Sequence, residues 1–93
     1  MEFKKSSSRI WLTDETGKET AFVSFPPRDE KTVTIASTVV DRSLRGQGIA
    51  SELLTELAKT LREDGKKAVP VCSYAVKWFP EHPEYSDLLA DEK

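Results

Sequence analysis

The sequence predicts an α+β / α/β fold: an antiparallel three-strand meander, a central helix, a parallel fourth strand and short C-terminal helices. Three observations carry that prediction. Apolar and β-branched runs at residues 9–13, 20–25 and 31–40 are separated by short turn-forming stretches. Such short connections favour antiparallel pairing. Ile49, Leu53, Leu54, Leu57, Ala58 and Leu61 then recur with the spacing of one buried helix face. Residues 66–72 return to a strand pattern, and a strand–helix–strand crossover joins parallel strands in a right-handed sense.

Taken in order, residues 1–8 read as a polar lead-in that frays, as do residues 90–93. Residues 14–18 have turn chemistry, with Gly17 available for a positive φ. Pro26 and Pro27 end the second run, because proline supplies no ladder donor and restricts the residue before it. Residues 31–40 form the longest single strand candidate. Asp64 and Gly65 close the helix, Gly65 in the left-handed conformation. Pro70 falls inside the fourth strand, so that strand either lies at an edge or diverges locally from its neighbour. We favour divergence, since a gap beside a crossover is where an open α/β sheet takes ligands. Residues 73–79 suit a short helix with Ser73 near its N-cap and Pro80 ending it. Residues 82–89 suit a further turn opened by Pro83.

With 93 residues the chain fits one domain, 1–93, near the lower size limit for a single core. A formal net charge of -2 gives no reason to expect nucleic acid or an anionic membrane as partner. The middle third is nevertheless basic, through Arg42, Arg45, Lys59, Arg62, Lys66 and Lys67, which suits a phosphorylated ligand. Cys72 is the single cysteine, so an intrachain disulfide is excluded and a reducing compartment is compatible. There is no apolar leader segment and no run of the length needed to span a membrane. These features imply a cytoplasmic protein, monomer or homodimer, with no metal site.

The segment from Val39 to Ala50 carries the chemistry. A β-branched run ends, a loop with Gly46 and Gly48 follows, and the amphipathic helix begins. First-turn amides of a helix have no intrahelical partners and sit at the positive end of its dipole. Without an Asp, Ser or Thr at the cap, they are left for an external anion, of which phosphate and pyrophosphate are the natural examples.

Arg45-Gly46-Gln47-Gly48-Ile49-Ala50 resembles the Gln/Arg-x-x-Gly-x-Gly/Ala motif of the GNAT superfamily, the acetyl-CoA-dependent N-acetyltransferases. Val69-Pro70-Val71-Cys72-Ser73-Tyr74, with Trp78 and His82-Pro83-Glu84-Tyr85 behind it, is similar to a branch of short single domains within it. The resemblance implies a GNAT-like, truncated acyl-CoA-binding domain that uses acetyl-CoA as co-substrate, or CoA. It implies that the backbone of Leu44, Arg45, Gly46, Gln47, Gly48, Ile49 and Ala50 holds the pyrophosphate. Gly46 and Gly48 keep side chains out of its way, and Arg42 or Arg45 meets the adenosine phosphate.

The pantetheine arm would pair like a strand with the edge of Thr38, Val39 and Val40. Its thioester would then fall near Ser37, Thr38 and Cys72. Transfer to an amine needs a proton acceptor, oxyanion donors and protonation of the leaving thiolate. A strand N–H near Val39 is the expected oxyanion donor and Tyr74 the expected acid. Cys72 is the candidate nucleophile or leaving-group partner, with Ser37 the further candidate in the catalytic set. His82 is the single histidine, with a surface turn as its ordinary home. The chain departs from the superfamily pattern in having no room for a helix between its first two strands. Ser37-Thr38 also stands where a His-Thr pair is expected. Two other readings therefore stay open: a CoA-binding sensor without catalysis, and an interaction module that keeps only the fold.

Overall fold

Alternating burial sets the architecture. In the computed structural model, which describes residues 3–90, two sheets share one continuous chain segment. The first sheet runs β1 (Phe3–Lys5), β2 (Arg9–Thr13), β3 (Glu19–Ser24) and β5 (Ser37–Val40), all antiparallel neighbours. The second pairs β4 (Thr32–Ile35) with β6 (Lys67–Pro70) in parallel. Between β5 and β6 lie a 3₁₀ turn (Arg42–Leu44) and helix α1 (Ile49–Asp64). Helix α2 (Ser73–Glu81) and a 3₁₀ segment (Pro83–Leu88) follow.

Ile10, Leu12, Ala21 and Val23 alternate onto the face that α1 covers, and the six predicted apolar positions of α1 are all buried there. Trp78, Phe79 and Leu88 complete the same core. The opposite face carries Lys4, Trp11, Phe22 and Val39 in one lateral row. The Arg9 guanidinium lies 5.4 Å from the Trp11 ring and 4.6 Å from the Phe22 ring, and donates to Glu19 at 2.6 Å. Cation–π stacking of this kind shelters aromatic faces that no helix covers.

Four expectations need correction. Residues 3–5 are not a loose lead-in, because Phe3, Lys4 and Lys5 pair with Leu12, Trp11 and Ile10 and extend the sheet. Ala90 is likewise held, its amide donating to the Ala68 carbonyl at 2.9 Å, whereas the expectation of fraying at residues 1–2 and 91–93 lies outside the described residues. The third expected strand, residues 31–40, is broken into β4 and β5. Ser24 is in register with Ser37, yet its carbonyl also accepts from the Ala36 amide at 3.0 Å. Ala36 is thus an extra residue opposite Ser24, a β-bulge that reverses the side-chain alternation. Ile35 faces the core before it, and Thr38 and Val40 do so after it. Finally, α2 begins at Ser73 beside its cap residue Cys72, as expected, but Pro80 does not end it: the helix runs one residue further, to Glu81.

Divergence beside Pro70 is what the backbone adopts. Lys67 and Val71 direct their amides at β4, to the carbonyls of Lys31 and Ile35 at 2.8 and 3.0 Å. Alternation turns the Pro70 nitrogen to the other side, where the missing donor breaks no bond to β4. Ile35 then accepts from Val71 and Cys72 both, at 3.0 and 3.1 Å, and pairing stops. Beyond this point β5 continues along β3 alone, with its other edge uncovered. The reading of Pro70 at an edge also has substance, since on that side β6 meets only a single bridge, Ala68 to Leu89.

Candidate functional site

The uncovered edge of β5 is the first wall of the site. The Asp41 amide donates to the Thr20 carbonyl at 2.7 Å, which makes that antiparallel pair a hydrogen-bonded one. Bonded and non-bonded pairs alternate along the ladder. The polar groups of Val39 therefore face Phe22 and those of Ser37 face Ser24, while the N–H and C=O of Thr38 and Val40 point into the gap. This corrects the expected oxyanion donor: the Val39 amide is committed to β3, and Thr38 and Val40 hold the available donors. Val39 itself presents an outward side chain, 48% exposed.

The loop and the start of α1 form the second wall. Asp41 accepts from Ser43 Oγ at 2.7 Å, and that bond, against the cost of desolvation and aided by nearby Lys18, holds its carboxyl below the usual range. Gly46 and Gly48 adopt φ of 84° and 75°, the left-handed region that a side chain resists. A Cβ at either would meet nothing within 4 Å, so backbone angle rather than crowding within the chain selects glycine there. No side chain caps α1, whose N-cap is Gly48, and its first helical bond is Glu52 N–H to the Gly48 carbonyl at 3.0 Å. The amides ahead of Glu52 look onto an open cavity of 340 Å³. It is lined by Val40, Leu44, Arg45, Gly46, Gly48, Ile49, Ala50 and Tyr74. Every expected loop residue except Gln47 lines it. Thr38 and Val39 do not, the former lying farther along the gap and the latter on the opposite face.

The expected catalytic residues divide. Cys72 is half-buried where β6 has diverged, and its Sγ lies 3.3 Å from Thr38 Oγ1, a contact that spans the gap. Ser37 is on the outward side of β5. Tyr74 belongs to the glycine-loop cavity, one residue into α2. Burial is the largest influence on its phenol and, with the charge of Glu81, pushes it above the usual tyrosine value, while a Ser51 hydroxyl contact opposes the shift. Tyr74 is therefore a protonated donor at neutral pH. His82 stacks on Trp78, ring centroids 4.0 Å apart, and its Nδ1 lies 2.8 Å from the Trp78 carbonyl. That commits the single histidine to the end of α2. Ser51, three residues into α1, escaped the sequence reading: it accepts from the Trp78 indole N–H at 2.9 Å, and no apolar period or motif marks it.

The GCN5-related N-acetyl-transferase family model matches residues 9–88. The chain belongs to the GCN5-related N-acetyltransferase family, whose members use acetyl-CoA as acetyl donor. Compared with curated protein sequences, it finds no significant match. Among solved structures it resembles a GCN5-like protein from Staphylococcus aureus, with 24% identity and a TM-score of 0.80 over 99% of this chain and 90% of that one. It also resembles a GNAT family N-acetyltransferase from Escherichia coli in complex with CoA, with 31% identity and a TM-score of 0.65. That match covers 74% of this chain but only 42% of the E. coli enzyme. The fold likeness extends to the N-acetylglutamate synthase of Neisseria gonorrhoeae, complexed with CoA and N-acetyl-glutamate, at 19% identity and a TM-score of 0.65. Here the chain corresponds to 18% of the larger enzyme. No helix among the described residues is long and apolar enough to cross a membrane.

Proposed function

We propose that this single domain binds acetyl-CoA between β5 and the diverging end of β6 and transfers the acetyl group to an amine. One observation carries the reading: the uncapped amides of α1 open onto a cavity that adjoins an unpaired strand edge. The diphosphate sits against the backbone from Leu44 to Ala50, where the helix dipole favours negative charge. Arg45 lines the same cavity and supplies a cation. The pantetheine amides pair with the gap-facing groups of Thr38 and Val40, as an added strand would. This directs the thioester toward Thr38 and Cys72. The acceptor nitrogen, as the free amine, attacks the thioester carbon and the oxyanion is met by a β5 amide. The intermediate then collapses, the C–S bond breaking as the nitrogen gives up one proton and the leaving thiolate takes one, so that amide and free thiol result. A reducing cytoplasm suits the single free cysteine.

Amide-resolved NMR titration with acetyl-CoA tests the site. Shifts should concentrate at Val40, Gly46, Gly48, Ile49 and Cys72, and a titration that leaves the glycine loop unmoved would sink the reading. Free thiol released with a panel of amines then identifies the acceptor class. If Cys72 carries the acetyl group in transit, protein incubated with acetyl-CoA and no amine should gain one acetyl group by intact mass. Cys72→Ala should then abolish the adduct and lower kcat about a hundredfold. A variant that turns over at the wild-type rate makes transfer direct.

A second reading has its own support. Ser37-Thr38 stands where the resemblance expects His-Thr, and His82 is held by Trp78. A CoA-binding sensor without catalysis fits both facts. It predicts acetyl-CoA binding with no thiol release for any amine.

A further inference from the structure

Ser51 lies at the third position of α1, two residues after Ile49 in the cavity wall. The Trp78 indole N–H points at Ser51 Oγ from 2.9 Å. An indole has a donor and no acceptor, so the serine oxygen accepts and keeps its own hydrogen for a different partner. Helical Ser and Thr commonly return that hydrogen to the carbonyl one turn back. Thr55 and Thr60 of the same helix do so, to Ser51 and Glu56 at 2.9 and 3.0 Å. Among the described residues Ser51 has no such bond. Trp78 is 2% exposed and fixes the oxygen in the α1–α2 interface. Four residues before Trp78, on the same face of α2, stands Tyr74, itself a residue of the cavity wall.

We propose that Ser51 is a positioning residue: held by Trp78, it donates to the Tyr74 phenolic oxygen, so that the phenol turns its own hydrogen into the cavity toward an anionic oxygen of the ligand. The ligand part rests on the reading that this cavity takes the diphosphate of CoA. A phenol that accepts from Ser51 has one hydrogen to give, and a hydrogen bond to a charged oxygen is stronger than one between neutral groups. The charge influences on Tyr74 agree: burial and Glu81 keep it protonated, and the Ser51 hydroxyl acts on it in the opposite sense, as a donor must. In this arrangement Tyr74 binds the cofactor's phosphate end, and protonation of the leaving thiolate falls to another group.

Two measurements test it. Ligand-free protein is titrated by tyrosinate absorbance, with the Tyr74→Phe trace subtracted. Ser51→Ala should move the Tyr74 midpoint upward and Ser51→Thr should restore it, since threonine keeps the hydroxyl. A midpoint unmoved in Ser51→Ala overturns the proposal. CoA affinity is then measured by calorimetry for Ser51→Ala, Tyr74→Phe and the double variant. Each single change should weaken binding about tenfold, and the double variant should bind no more weakly than Tyr74→Phe. Losses that multiply overturn the coupling. The absorbance measurement involves no ligand, so its failure is distinct from that of the CoA reading. Wild-type protein that binds no CoA overturns the ligand half of the proposal together with that reading.

Discussion

Gly48→Glu should eliminate measurable CoA binding while the domain stays folded. A Cβ there meets nothing within 4 Å, so the fold has room for the new side chain, which, starting from the N-cap of α1, is expected to reach the space before its first amides. Its carboxylate repels a diphosphate and competes for the same N–H groups, as an acidic cap would. Affinity should fall about a hundredfold or more. Stability should fall by about 1–2 kcal/mol, because φ of 75° is left-handed and a side chain there is strained. Gly48→Asn is the control, since asparagine tolerates that conformation and brings no charge. Calorimetry reads the first effect and urea unfolding the second. A Gly48→Glu protein that binds CoA as the wild type does would place the cofactor elsewhere.

Proline substitutions at two adjacent residues of β5 should give opposite outcomes. Val39→Pro removes a ladder bond to Phe22 and should cost about 3 kcal/mol of stability, lowering the urea midpoint severely. Val40→Pro removes an N–H that faces the gap, a position where sheets tolerate proline. That variant should stay folded and bind acetyl-CoA about tenfold more weakly, through the lost donor to the pantetheine arm. Circular dichroism in urea and calorimetry separate the two effects. If Val40→Pro unfolds while Val39→Pro does not, the alternation assigned to β5 is inverted.

Helix α1 was legible because its apolar repeat has a single physical cause, one face packed on a sheet. The glycine loop was legible because positive φ excludes most other residues. The break at Ala36 left no trace in composition: residues 31–40 keep a β-branched character on both sides of the bulge, and an extra residue is defined only by the partner strand it fails to match. Phe3-Lys4-Lys5 reads as solvated chain, and only the open edge of β2 makes it a strand. Pro70 announced an irregularity, yet not which neighbour it spares. That followed from the direction of the Lys67 and Val71 amides. Within the site, the glycine motif named the cavity wall well. The roles expected of Tyr74 and Val39 were read from their places along the chain: Tyr74 does line the glycine-loop cavity, whereas the ladder register turns the Val39 amide to β3 and away from the gap. Ser51 was silent because its partner, Trp78, is 27 positions away.

The single Ile35 oxygen that takes both the Val71 and Cys72 amides has a kinetic consequence. Two donors converging on one acceptor make a pivot at which the chain peels away, and past it the backbones of the two strands share no bond, so that the Thr38–Cys72 side-chain contact at 3.3 Å is what a guest displaces on entry. The notch is preorganised. Association should then be set by diffusion, orientation and the exchange of that one side-chain contact, with no backbone ladder to open beforehand.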